Sequence, residues 1–119
     1  MELIRGRHNL QPHHRGCAVT IGAFDGVHLG HQSVLTHLLQ QAVSLEVPTT
    51  VVTFEPLPRE YLRPLEAPPR ITTLRDKWPL LAECGVDRVL CLPFNEQLRQ
   101  LSAREFVEEV FVSGLGVRY

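Results

Sequence analysis

Two imidazoles three residues apart, His28 and His31, close the decapeptide Gly22-Ala23-Phe24-Asp25-Gly26-Val27-His28-Leu29-Gly30-His31. That spacing puts both rings on one face of a helix. Ahead of them, Cys17-Ala18-Val19-Thr20-Ile21 reads as a buried strand, and Gly22 and Gly26 frame a tight turn around Phe24 and Asp25. A strand, a glycine-framed turn and a helix start together make a phosphate site. The first helical N–H groups lack intrahelical partners and the helix dipole is positive there, so an anion is favoured. His28 and His31 add donors whose bonds strengthen as charge grows on phosphate oxygens in a phosphoryl-transfer transition state. Gly30, between them, lets a ligand approach the backbone closely. Zinc is the other chemistry open to two histidines on one face, but no third and fourth ligands stand at a recognisable spacing, so no metal ligand is assigned. Phe24 suits the core as well as a ligand wall, and Asp25 suits a helix cap better than a nucleotide contact.

The elements that must position this turn alternate along the chain. Leu3-Ile4 is a short strand, residues 18–21 a firmer one, and residues 31–44 a helix burying Val34, Leu35, Leu38, Leu39 and Ala42. Residues 49–54 are rich in β-branched side chains and form a central strand that ends at Pro56 and Pro58. Irregular chain is expected over residues 59–71, where Pro64, Pro68 and Pro69 fall. Residues 73–84 have helical periodicity through Leu74, Trp78, Leu81 and Ala82, with Gly85 as the stop. Pro79 is discordant there and predicts a kink or a start nearer Trp78. Residues 88–92 are the next strand. A capping box, Ser102-x-x-Glu105, opens a last helix that presents Phe106, Val107, Val110 and Phe111, and residues 116–119 begin another strand. Strand–helix alternation of this kind predicts an α/β fold, a Rossmann-like parallel sheet with crossover helices.

Composition narrows the function classes. A chain of 119 residues with a formal net charge of −1 and no basic cluster argues against nucleic acid as a partner. No apolar stretch is long enough for a signal peptide or a membrane span, so a cytoplasmic, membrane-free protein is expected. Cys17, Cys84 and Cys91 are odd in number, lie in apolar surroundings and read as reduced, buried thiols. His8, His13 and His14 fall in a polar, proline-containing stretch and read as surface loop.

Beyond what spacing yields, residues 20–32 resemble the signature of the nucleotidylyltransferase superfamily in the form carried by bacterial bifunctional riboflavin kinase/FAD synthetases. Leu3-Ile4-Arg5-Gly6 with His8-Asn9-Leu10, the block Thr53-Phe54-Glu55-Pro56-Leu57-Pro58, Glu83-Cys84-Gly85-Val86-Asp87-Arg88-Val89-Leu90 and Ala103-Arg104-Glu105-Phe106-Val107-Glu108-Glu109 are similar to that family as well. The resemblance implies transfer of AMP from ATP to FMN, giving FAD and pyrophosphate, with Mg²⁺ accompanying ATP. It implies that His28 and His31 are catalytic, and that Gly22, Ala23, Phe24, Asp25, Gly26 and Gly30 form the nucleotide side. Phe54, Pro56, Pro58 and Phe106 are then walls for the flavin, although simple core packing serves Phe106 equally well. Many family members carry a His where this chain has Leu57. Downstream nucleotide motifs and the riboflavin kinase domain of the family are absent, so residues 1–119 are expected to be the N-terminal portion of an adenylyltransferase domain. Two other functions stay open at this point. One is a nucleotidylyltransferase for phosphopantetheine, nicotinamide mononucleotide or an alcohol phosphate; the other is a non-catalytic fragment that binds nucleotide or flavin.

Overall fold

Thr49, Thr50, Val51, Val52 and Thr53 are all buried, and with Phe54 they form β3 (Thr49–Phe54), an interior strand of a four-stranded sheet. Solvent on neither face of β3 requires apolar or β-branched side chains at every position, which is why its sequence lacks alternation. The computed structural model describes residues 1–24, 29–55, 61–63, 65 and 74–119. Its other strands are β1 (Glu2–Arg5), β2 (Ala18–Ile21) and β4 (Arg88–Leu92), in the order β1-β4-β3-β2 with every pair parallel. Three of these four strands have the predicted bounds, and β1 extends the expected Leu3-Ile4 by one residue at each end.

The helices are α1 (Leu29–Leu45), α2 (Leu74–Glu83), α3 (Glu96–Arg99) and α4 (Ala103–Phe106), the last continuing as a π-helix, Val107–Gly114. One sheet face packs Ile4, Val52, Leu90 and Leu92 against Leu98, Val110 and Leu115. The opposite face packs Val51 and Val89 against Leu35 of α1, Leu81 of α2 and Phe24. This is the period-two alternation of strands covered on both sides.

Several local expectations change. α1 begins at Leu29, two residues ahead of the predicted start, and Val34 lies half open to solvent while Leu35, Leu38 and Ala42 are buried. The buried stripe repeats at i, i+3, i+7, and Val34 falls beside it. α2 starts at Leu74 and runs through Pro79, not from Trp78; Pro79 is exposed, and Ala82 is exposed too, off the face that buries Leu81. Gly85 ends α2 as expected, with φ +92° and a Schellman pair: Val86 N–H donates to Leu81 O and Gly85 N–H to Ala82 O. The same pair closes α1, where Val47 N–H donates to Ala42 O and Glu46 N–H to Val43 O, but the left-handed residue there is Glu46, φ +56°. Val107 is exposed, whereas Val110 is buried and Phe106 and Phe111 are half-buried. A π-helical ring adds a residue per turn and rotates Val107 off the packed face. Of the expected irregular stretch, Tyr61 and Leu62 are helical. Residues 116–119 run along the outer edge of β2, with Arg118 N–H donating to Cys17 O and Val19 N–H to Tyr119 O. Cys17 and Cys91 are buried, Cys84 is half-buried, and none of the three is in a disulfide.

Candidate functional site

Parallel strands that end together make one edge of the sheet a platform, and ligands of open α/β sheets bind outside the carboxyl ends of the strands. Sheet pairing continues one residue past three of these strands. Gly22 N–H donates to Val52 O at 3.0 Å, Glu55 N–H to Leu92 O at 3.0 Å and Gly6 N–H to Cys91 O at 2.8 Å. The candidate turn therefore leaves β2 from a rigid base.

Among the described residues of the turn, Phe24 takes the left-handed conformation, φ +51°. Gly22 has a different reason to be glycine: a Cβ there would lie 3.0 Å from the Phe24 ring, which folds back over it. Phe24 is 3% exposed, packs with Leu35, Val51, Leu81 and Val89, and meets the His31 ring at a centroid separation of 4.9 Å. A left-handed conformation costs a non-glycine residue about 1–2 kcal/mol, which burial of an aromatic ring offsets. His31, half-buried in the first turn of α1, is thus backed by a core side chain. Asp25, Gly26 and His28 lie outside the described residues, as do Pro56, Leu57 and Pro58, and of Gly30 the helical backbone alone is described.

A residue that sequence reasoning passed over stands behind the turn. Lys77, on α2, is fully buried, and its Nζ donates to the Ala23 carbonyl at 2.7 Å. Its only signal in the sequence was a cation one helical turn before Leu81, on the buried face of an amphipathic helix.

On the other sheet face, at the same edge, Phe54 and Phe106 approach to 6.2 Å between ring centroids. Phe94 joins them, edge-on to Phe54 at 5.8 Å, and Tyr61 stands edge-on to Phe94 at 5.6 Å. The Tyr61 hydroxyl donates to Glu96 at 3.0 Å, and this bond to a carboxylate raises its pKa. Phe54 and Phe106 are half-buried, so each has a packed side and an open one. Phe94 and Tyr61 were not expected in this cluster. Nearby, at the ends of β1 and β4, a cleft of about 710 Å³ is lined by Arg7, His8, Arg15, Asn95 and Glu109 among others, and it includes none of the predicted site residues.

His14 is a correction. It is 2% exposed and not a surface residue, because Gln11 N–H donates to its Nδ1 at 2.9 Å and its Nε2 meets Glu2 at 3.0 Å. An Nδ1 that accepts leaves the proton on Nε2, so Glu2 is the acceptor. Ligand atoms of Glu2, His13 and His14 lie within 4.8 Å of one another, but Arg88 Nε also stands 3.8 Å from the same Glu2 oxygen. With Nδ1 of His14 accepting from Gln11 and Arg88 beside the Glu2 carboxylate, this arrangement ties the chain's first residues to β4.

Residues 10–119 match the FAD synthetase family. The chain belongs to that family. It is 56% identical over its whole length to a bifunctional riboflavin kinase/FMN adenylyltransferase of Pseudomonas fluorescens, 45% to that of Escherichia coli K12 and 46% to that of Haemophilus influenzae. The chain spans 38–39% of the length of these relatives. A crystal structure of a macrolide-efflux protein from Streptococcus pneumoniae superposes with a TM-score of 0.80 over 99% of this chain and 46% of that one, at 23% identity, a likeness of fold. Among the described residues of this FAD synthetase family member, no helix is long and apolar enough to cross a membrane.

Proposed function

We propose that this chain is part of an FMN adenylyltransferase, which transfers AMP from ATP to FMN to give FAD and pyrophosphate. The observation that carries the reading is the glycine turn at the carboxyl edge of the sheet, with Phe24 packed on His31 at the start of α1, in a member of the FAD synthetase family. An FMN phosphate oxygen attacks the α-phosphorus of ATP in line; the bond from that phosphorus to the bridging oxygen breaks, and pyrophosphate leaves. His28 and His31, with the N–H groups of the α1 start, bind the oxygens on which charge collects. Phe24 N–H makes no hydrogen bond among the described residues, so it too is open to a phosphate oxygen.

Phe54 and Phe106, with Pro56 and Pro58, are the flavin walls of this reading, and Phe94 extends them. Flat apolar faces suit an isoalloxazine ring. Mg²⁺ comes with ATP, whose phosphate oxygens suit a hard dication. We place the reaction in the cytoplasm, where its charged substrates are, and assign the riboflavin kinase activity named in the relatives to chain outside the matched stretch.

Isothermal titration with ATP–Mg²⁺ and separately with FMN, followed by an assay for FAD in the mixture, tests this. Saturable binding of both is expected. Binding of ATP together with phosphopantetheine or nicotinamide mononucleotide, and not FMN, overturns the flavin assignment.

A further inference from the structure

We infer that Lys77 is the positioning residue of the nucleotide turn: its ammonium orients the Ala23–Phe24 peptide so that Phe24 N–H faces a nucleoside triphosphate. The inference rests on the adenylyltransferase reading for the identity of the ligand, and on geometry for everything else.

A buried ammonium is costly unless it is hydrogen-bonded, so the position of Lys77 calls for an acceptor, and Ala23 O supplies one at 2.7 Å. The residue four positions on, Leu81, shares a helix face with Lys77 and packs in one cluster with Phe24. One face of α2 thus touches two consecutive residues of the turn, the carbonyl of Ala23 and the ring of Phe24. In a planar trans peptide the C=O and the following N–H point in opposite directions. With Ala23 O turned inward to Lys77, Phe24 N–H is turned away from the interior. It has no acceptor among the described residues, and Ala23 itself is exposed. The left-handed φ of +51° at Phe24 is a conformation the free chain would not hold by itself. Contacts on both sides of that peptide hold it.

The test compares Lys77→Met, which removes the ammonium and keeps the length, with Lys77→Gln, which keeps a donor without the charge. ATP–Mg²⁺ and FMN are titrated into each, and the Phe24 amide is followed by ¹⁵N NMR. Expected is about tenfold weaker ATP binding by Lys77→Met, loss of the ATP-induced shift of the Phe24 amide, unchanged FMN affinity, and partial recovery in Lys77→Gln. Equal ATP affinity in Lys77→Met overturns the inference; so does an equal loss for ATP and FMN accompanied by a lower Tm, which is loss of packing alone. Should Lys77→Met fail to fold, the ¹⁵Nζ signal of Lys77 in the unaltered chain decides: a shift on adding ATP but not FMN supports the role, and no shift overturns it. An unaltered chain that binds FMN but not ATP overturns the inference together with the nucleotide side of the reading. One that binds ATP but not FMN removes the flavin assignment and leaves Lys77 under test as above.

Discussion

Phe24 lies over Gly22 on one side and against His31 on the other, with 3.0 Å between its ring and the place a Gly22 Cβ would take, and 4.9 Å between ring centroids at His31. A core side chain in a left-handed conformation thereby sets the position of a candidate catalytic imidazole. Packing and function meet in one residue.

Truncating that side chain should lower both. Phe24→Ala removes a buried ring and is expected to cost about 3–5 kcal/mol of stability. Phe24→Leu refills most of the volume and should cost about 1 kcal/mol, yet it leaves His31 without its aromatic neighbour. Urea unfolding of both variants, with adenylyl transfer measured in the complete enzyme, separates the two effects. Normal turnover in Phe24→Leu would show that the ring contact does not position His31.

For His31 itself, the adenylyltransferase reading gives a number. Loss of one preorganised donor to the transition state lowers turnover by roughly 10²–10³. His31→Ala in the complete enzyme should fall in that range with a smaller change in KM for FMN. A near-normal rate would remove His31 from the chemistry.

Stability should rise at the end of α1. Glu46 holds the left-handed position of a Schellman motif at φ +56°, where glycine meets no steric penalty. Glu46→Gly is expected to stabilise by about 0.5–1 kcal/mol, the gain in the folded state being reduced by the greater freedom of glycine in the unfolded chain. The midpoint of urea unfolding should shift upward with an unchanged slope.

Acid should loosen the tie between β1 and the turn that follows it. The hydrogen bond from His14, helped by the nearby charge of Arg88, holds the Glu2 carboxyl below its ordinary value of 4.5 against the opposing effect of burial. A depressed carboxylate pKa means that the unfolded chain binds the proton more readily. The contribution is complete above about pH 4.5 and is lost as pH falls through the folded-state value. Glu2→Gln should therefore flatten the acid side of the stability profile and change little near neutrality. Parallel profiles for the two proteins between pH 3 and 7 would show that Glu2 contributes nothing to this dependence.

Thiol reactivity should follow burial. Cys17 is fully buried and its pKa is raised by that burial, so it remains a neutral thiol; Cys91 is buried as well, and Cys84 is partly accessible. Alkylation of the native chain with iodoacetamide should label Cys84 first, with Cys17 and Cys91 reacting when urea unfolds it. Early labelling of Cys17 would contradict its packing against the sheet.

Much of the fold was legible because its signals are local. Unbroken β-branched and apolar runs marked residues 49–54 and 89–92, Gly85 marked the end of α2, and Ser102 with Glu105 forms the capping box that its spacing announced. The π-helical turns after Phe106 left no such mark, since they follow from how Val110 and Leu115 fit the sheet face, and so the exposure of Val107 was missed.

By itself, the sequence determined the alternation of strands and helices, the glycine-framed turn after β2 and the identity of the side chains that can meet a phosphate. Each of these depends on residues within a few positions of one another. Tertiary structure alone decided that Phe24 takes the left-handed conformation, that His14 is buried against Glu2, and that Lys77 reaches across 54 positions to the Ala23 carbonyl. The physical reason is desolvation. A histidine or lysine reads as a surface group along the chain, and only contacts between distant segments supply the partner that lets it be buried.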